Sequence, residues 1–153
     1  MAIVQEQDYV FCKSATYIGV EGIGKGCLIG TRKLILGLPE SIDSAVWNRY
    51  FQTTTYSIDG MPPWQVLQTV AESESTVLEG FEDVLTSLGE SFQGAVFIEL
   101  EQQKRLKVRS GWLTKGVYWS SNERGPGWKG YGLGKKAVAD QWVAFYRGHP
   151  IAV

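Results

Sequence analysis

Residues 95–109 alternate apolar and charged side chains with period two, and no other stretch constrains the fold as strongly. Val96, Ile98 and Leu100 alternate with Phe97, Glu99 and Glu101, and Leu106 and Val108 alternate with Arg105, Lys107 and Arg109. Successive side chains of a strand point to opposite faces, so each run reads as a strand with one buried face. With Gln102 to Lys104 as a three-residue loop, Leu100 would face Leu106 and Ile98 would face Val108. On the other face Glu101 would meet Arg105 and Glu99 would meet Lys107. A one-residue slip would mix the two faces. The spacing therefore predicts an antiparallel hairpin over 95–109 with an apolar inner face and an ion-paired outer face.

Before this region, Asp8 to Val20 is rich in aromatic and β-branched residues and reads as one strand. The glycine-rich run from Glu21 to Gly26 reads as a turn, and Cys27 to Leu38 as a second strand ended by Pro39. Gly30 and Gly37 within it point to bulges or close packing. Ser41 is placed to cap a helix over 42–52, followed by a short β-like stretch over 53–58 and a turn at Asp59-Gly60. Pro62-Pro63 suits the first turn of another helix, striped by Val66, Leu67 and Val70. After Ser73 or Ser75, the apolar residues Val77, Leu78, Phe81, Val84, Leu85 and Leu88 recur at helical spacing, with Gly89 as the expected C-cap. The far face of that segment carries Glu79, Glu82 and Asp83. Val117 to Ser120 reads as a strand, Asn122 to Gly134 as a loop, and Lys135 to Arg147 as a last helix stopped by Gly148 and Pro150.

Strands and helices are grouped rather than alternating, which predicts an α+β fold. The expected architecture is one domain over 1–153. Its mainly antiparallel sheet (the N-terminal hairpin, the central hairpin 95–109 and strand 117–120) is covered by three to four helices. No apolar run reaches the ~18 residues of a membrane span. The first residues lack the basic and apolar regions of a secretory signal. Cys12 and Cys27 are too few for a disulfide framework and are expected reduced and buried, in a cytoplasmic protein.

The net charge of −1 hides a division. Residues 1–101 hold 5 Lys/Arg against 14 Asp/Glu, a net of −9; residues 102–153 hold 10 against 2, a net of +8. Either the two parts compensate each other or one of them meets a charged partner.

Motifs for known chemistry fail on context. Gly19 to Gly26 has the glycines and the lysine of a phosphate-binding loop. Gly26 stands where the Mg²⁺-binding hydroxyl belongs, however, and a strand-like run follows in place of a helix. Gly125 to Gly130 matches a dinucleotide fingerprint but leaves too little chain for the fold that motif requires. One histidine, His149, and two separated cysteines argue against a zinc site, and nothing in the sequence pairs with His149 for a triad. No catalytic residue, cofactor or metal is assigned.

The loop before the last helix interleaves cations with aromatics. Arg124, Trp128, Lys129, Tyr131, Lys135 and Lys136 form the candidate partner-binding set, because cations meet acidic or phosphorylated surfaces and exposed aromatics anchor contacts. Lys135 and Lys136 fall at a helix N-terminus, where the dipole disfavours cations and an anion would be welcome. The sequence thus favours a non-catalytic module with a protein partner. Its concrete form would be a bacterial cytoplasmic inhibitor of the immunity-protein or antitoxin type. Binding of nucleic acid or a phosphorylated ligand through residues 124–136 is the alternative. A pI of 5.9 weighs against a dedicated nucleic-acid binder.

Overall fold

The computed structural model describes residues 3–19, 22–42, 61–73 and 77–153. Seven strands form one antiparallel sheet: β1 (Val10–Gly19), β2 (Gly22–Gly30), β3 (Leu34–Pro39), β4 (Val96–Glu99), β5 (Arg105–Ser110), β6 (Lys115–Ser120) and β7 (Lys129–Gly132). Among the described residues there are three helices, α1 (Pro63–Glu72), α2 (Leu78–Ser91) and α3 (Lys136–Tyr146), and one 3-10 turn, Leu100–Gln102. The α+β class therefore holds. The expected helix over 42–52, apart from Ile42, lies outside the described residues, as do the stretch 53–58 and the Asp59-Gly60 turn.

The sheet order is β4-β3-β2-β1-β7-β6-β5. The central hairpin over 95–109 is therefore corrected: β4 and β5 are not partners but the two edges of the sheet. Ile98 pairs with Ile35 of β3, and Leu106 pairs with Trp119 of β6. Alternation reports which face a side chain takes, not which strand lies alongside. Both neighbours offer apolar residues in register, so the local loop loses to them. The faces themselves follow the sequence, since Val96, Ile98, Leu100, Leu106 and Val108 all join one apolar cluster.

This order forces the sheet to curl. Six inter-strand gaps of about 4.8 Å would put flat edges about 29 Å apart. The chain from Glu99 to Arg105 reaches only about 20 Å when fully extended, and a 3-10 turn shortens it further. The rolled sheet has an inner face, where Val10, Cys12, Leu28, Ile35, Val117 and Tyr131 pack with α3. Its outer face over β2 and β3 is covered by α1 and α2 through Val66, Leu67, Phe81, Leu85 and Leu88. The alternation of β3 shows the division: Leu34, Leu36 and Leu38 face α1 and α2, and Ile35 faces inward.

The two flagged glycines mark close packing on that inner face. The Tyr146 hydroxyl and the Trp142 ring sit against Gly30, and the Tyr131 hydroxyl sits against Gly37, three strands away from β7. A side chain at either position would occupy the space that lets the curl close.

Other boundaries differ from expectation. Glycines 22, 24 and 26 lie in β2 rather than in a turn, and Cys27 to Leu38 is two strands broken at Thr31–Lys33. The buried Thr31 explains the break. Its hydroxyl oxygen accepts from the Lys33 and Leu34 backbone N–H groups and donates to Glu82 at 2.6 Å, so the side chain closes the turn. Pro63 opens α1 as expected. Gly89 is not the C-cap of α2; the helix runs on to Ser91, and Gly89 gives room to Phe97. The loop expected over 122–134 contains β7, whose pairing with β1 and β6 joins the two halves of the sheet.

Candidate docking surface

No helix covers the outer face of β5, β6 and β7 in the contacts of the described residues. Leu106, Val117 and Trp119 point inward, so Arg105, Lys107, Arg109 and Tyr118 point out. Tyr118 lies over Gly116 and Gly130, whose missing side chains leave room for its ring. Trp128 rests on the same face, with the Arg105 guanidinium and the Lys107 ammonium each 4.4 Å from its ring centre. Arg105 also donates to the carbonyl oxygens of Asn122 at 2.8 Å and Gly125 at 2.7 Å. That clamp holds the glycine-rich loop against the sheet. Arg105 and Lys107 are thus engaged with Trp128 and the loop, not with Glu101 and Glu99 as the hairpin reading required.

The β5–β6 hairpin ends in a tip, Gly111 to Thr114, closed by the Gly111 N–H donating to the Thr114 carbonyl at 2.8 Å. Trp112 and Leu113 at its apex are 87% and 85% exposed, the largest exposures among the big apolar side chains of the described residues. The Lys115 ammonium donates to the Trp112 carbonyl, which fixes the tip but leaves both side chains in solvent. Ser110, at the base of the tip, donates its hydroxyl to Asp140 on α3. Asp140 also pairs with Lys136 at 3.1 Å. The Ser110 hydrogen bond and then the Lys136 charge hold the Asp140 carboxyl below the usual range.

The six residues singled out by sequence do not converge on one patch. Arg124 is exposed on the loop, and Trp128 lies on the outer face. Lys129 begins β7 on the inner side, where it lines a cavity. Tyr131 is buried in the inner core. Lys135 is the N-cap of α3 and Lys136 its first residue, and Lys136 pairs with Asp140, one turn on. The exposed tip escaped the sequence reading. Its signal was a Trp-Leu pair beside Gly111, where a hairpin loop would otherwise be polar.

The histidine is engaged by the backbone. His149 Nδ1 accepts from the Ile151 N–H at 3.3 Å, which leaves Nε2 as the donor to the Arg32 carbonyl at 2.9 Å. Both nitrogens are spent on the backbone. Cys12 and Cys27 are free and buried, and burial pushes the Cys27 thiol up to about 12. Among the described residues no group of three or more His, Cys, Asp or Glu is arranged to hold a metal, and no helix is long and apolar enough to cross a membrane. Comparison with protein-family models, curated proteins and solved structures returns no match.

Proposed function

We propose that this chain is a protein-binding module that docks through the uncovered outer face of β5–β7 and the Trp112–Leu113 tip onto an acidic partner surface. The observation that carries the reading is the tip. Two large apolar side chains stand in water at the apex of a hairpin whose six-residue strands are fully laddered. Burying each on association contributes about 1.5–3 kcal/mol, and a rigid hairpin loses little entropy in presenting them. Behind the tip, Arg109, Lys107 and Arg105 run along one face of β5 and supply the charge that steers an acidic partner. The finer form of this reading is an inhibitor of the immunity-protein or antitoxin kind, because a narrow hairpin end suits insertion into the cleft of an enzyme or toxin.

The test is retention of proteins from the source cells on the immobilised chain, comparing wild type with Lys107→Glu/Arg109→Glu. The reading expects one acidic protein that is retained at physiological salt, weakened at high salt and lost in the variant. Equal retention by both forms contradicts it. Interleaved cations and aromatics on a glycine-rich sheet face also favour a second reading, stacking of a single-stranded nucleic acid. That ligand would show a log affinity that falls linearly with log salt.

A further inference from the structure

The curled sheet has two edges, and they are treated differently. At β5 the C-terminal residues pair in parallel with Leu106: its N–H donates to the Ile151 carbonyl and its carbonyl accepts from the Val153 N–H, both at 2.9 Å. The Arg109 guanidinium donates to the Val108 carbonyl at 3.1 Å. At β4 the described residues supply no such cover. The Leu100 N–H donates to the Lys33 carbonyl at 2.8 Å, which sets the phase of the β3–β4 ladder. Val96 and Ile98 therefore turn their backbone groups toward β3, and Phe97 and Glu99 turn theirs away. The Phe97 N–H and carbonyl, the Glu99 N–H and the Ala95 carbonyl have no hydrogen-bond partner among the described residues. Unpaired edge groups of this kind are a template for another strand.

A cavity of about 610 Å³ lies along this edge, lined by the consecutive residues Ala95, Val96, Phe97 and Ile98. Successive side chains of a strand point to opposite faces, so a cavity that touches all four meets β4 at its hydrogen-bonding edge rather than at a face. The opposite wall is the end of β6, at Trp119 and Ser120, and Gln103 lines it from the link between β4 and β5. The cavity is a slot with a wall on each side. It admits a single extended segment and excludes the edge of a second folded sheet.

We infer that β4 takes up an extended segment of another protein as an added antiparallel strand, with main-chain hydrogen bonds supplying affinity and alternate side chains supplying specificity. Residues directly opposite each other in a strand pair share a face. The residues opposite Val96 and Ile98 are apolar, because both side chains belong to the inner cluster. The residue opposite Glu99 is a cation, because Glu99 is exposed and has no ion pair among the described residues. The inference goes beyond the docking reading and does not rest on it, since the hairpin tip lies at the end of β5, the other edge.

The test is an NMR titration of the ¹⁵N-labelled full chain with the acetylated, amidated peptide Lys-Val-Thr-Val-Thr, whose residues would lie opposite Glu99 back to Ala95 in turn. The peptide is expected to shift the Phe97 and Glu99 amides saturably and to slow their hydrogen exchange. N-methylation of its central threonine removes the donor to the Phe97 carbonyl and should weaken binding at least about ten-fold, a lost hydrogen bond plus the added methyl. The peptide Glu-Val-Thr-Val-Thr should bind about two- to five-fold more weakly, the effect of one cross-strand charge pair. Glu99→Lys, a change at an exposed position, should reverse that preference. Trp112→Ser/Leu113→Ser should leave every titration unchanged. No saturable shift at millimolar peptide, equal binding of the N-methylated peptide, or the same charge preference in Glu99→Lys overturns the inference. So does broadening at Phe97 that grows with the chain's own concentration in the absence of peptide, which would assign the edge to a second copy.

Discussion

Gly37 and Tyr131 show how much of this fold rests on single atoms. A methyl group on Gly37 would meet the Tyr131 hydroxyl first and the ring behind it second. Overpacking of this kind costs about 1–3 kcal/mol. Gly37→Ala should therefore destabilise the chain by that amount in denaturant unfolding. Adding Tyr131→Phe should restore part of the loss, because it removes the atom nearest the new methyl. A purely additive double variant would contradict the contact. The buried acids make a second residue-scale prediction. Burial raises the Cys27 thiol to about 12 and also raises Cys12, Tyr131 and Tyr146. Above the ordinary thiol value of about 8.5 the unfolded chain gives up protons that the native chain keeps. The unfolded state then binds fewer protons, so stability falls as pH rises. This contribution is intact below about pH 8.5 and is lost progressively toward pH 12. Thermal melts between pH 7 and 10.5 should be level at first and then decline, with a shallower decline in Cys27→Ala. A level profile throughout would contradict the burial of these groups.

At the scale of elements, exposure separates what folds the chain from what the surface offers. Trp142 is fully buried on α3, and its indole N–H donates to the Phe11 carbonyl. Trp142→Ala should cost about 3–5 kcal/mol. Trp112→Ser/Leu113→Ser should change stability by no more than about 0.5 kcal/mol, because nothing packs on either side chain. Chemical denaturation of both variants checks the contrast. The same scale shows what was legible in the sequence. Period two gave the correct faces for Val96, Ile98, Leu106 and Val108, and helical spacing found α1, α2 and α3. The partner of β4 was not legible, because any strand with inward apolar residues satisfies the same alternation. The β2–β3 break was hidden for a different reason: Thr31 closes the turn on the Lys33 and Leu34 N–H groups, and a threonine between two apolar runs reads as strand until its hydroxyl is seen donating to Glu82, 51 positions away. Of the candidate site, the cation and aromatic content of the C-terminal third was visible. Its distribution between outer face, inner core and cavity was not, because it depends on β7 forming inside an apparent loop.

At the scale of the molecule, the charge division in the sequence becomes a division in space. The acidic helix α2 packs on β3 and β4, near one edge of the sheet, while the cations of β5 lie at the other. One ion pair among the described residues, Lys136 with Asp140, lies wholly within the basic third. The β5 cations and the exposed tip are therefore presented together, which is the basis for the docking reading. Native mass spectrometry of the protein recovered gently from its own cells tests this most directly, comparing wild type with Trp112→Ser/Leu113→Ser at physiological salt. The account predicts a stoichiometric complex with a second, acidic protein in the wild type and the bare chain in the variant. A bare monomer or a homo-oligomer in both, or the same complex in both, would contradict it.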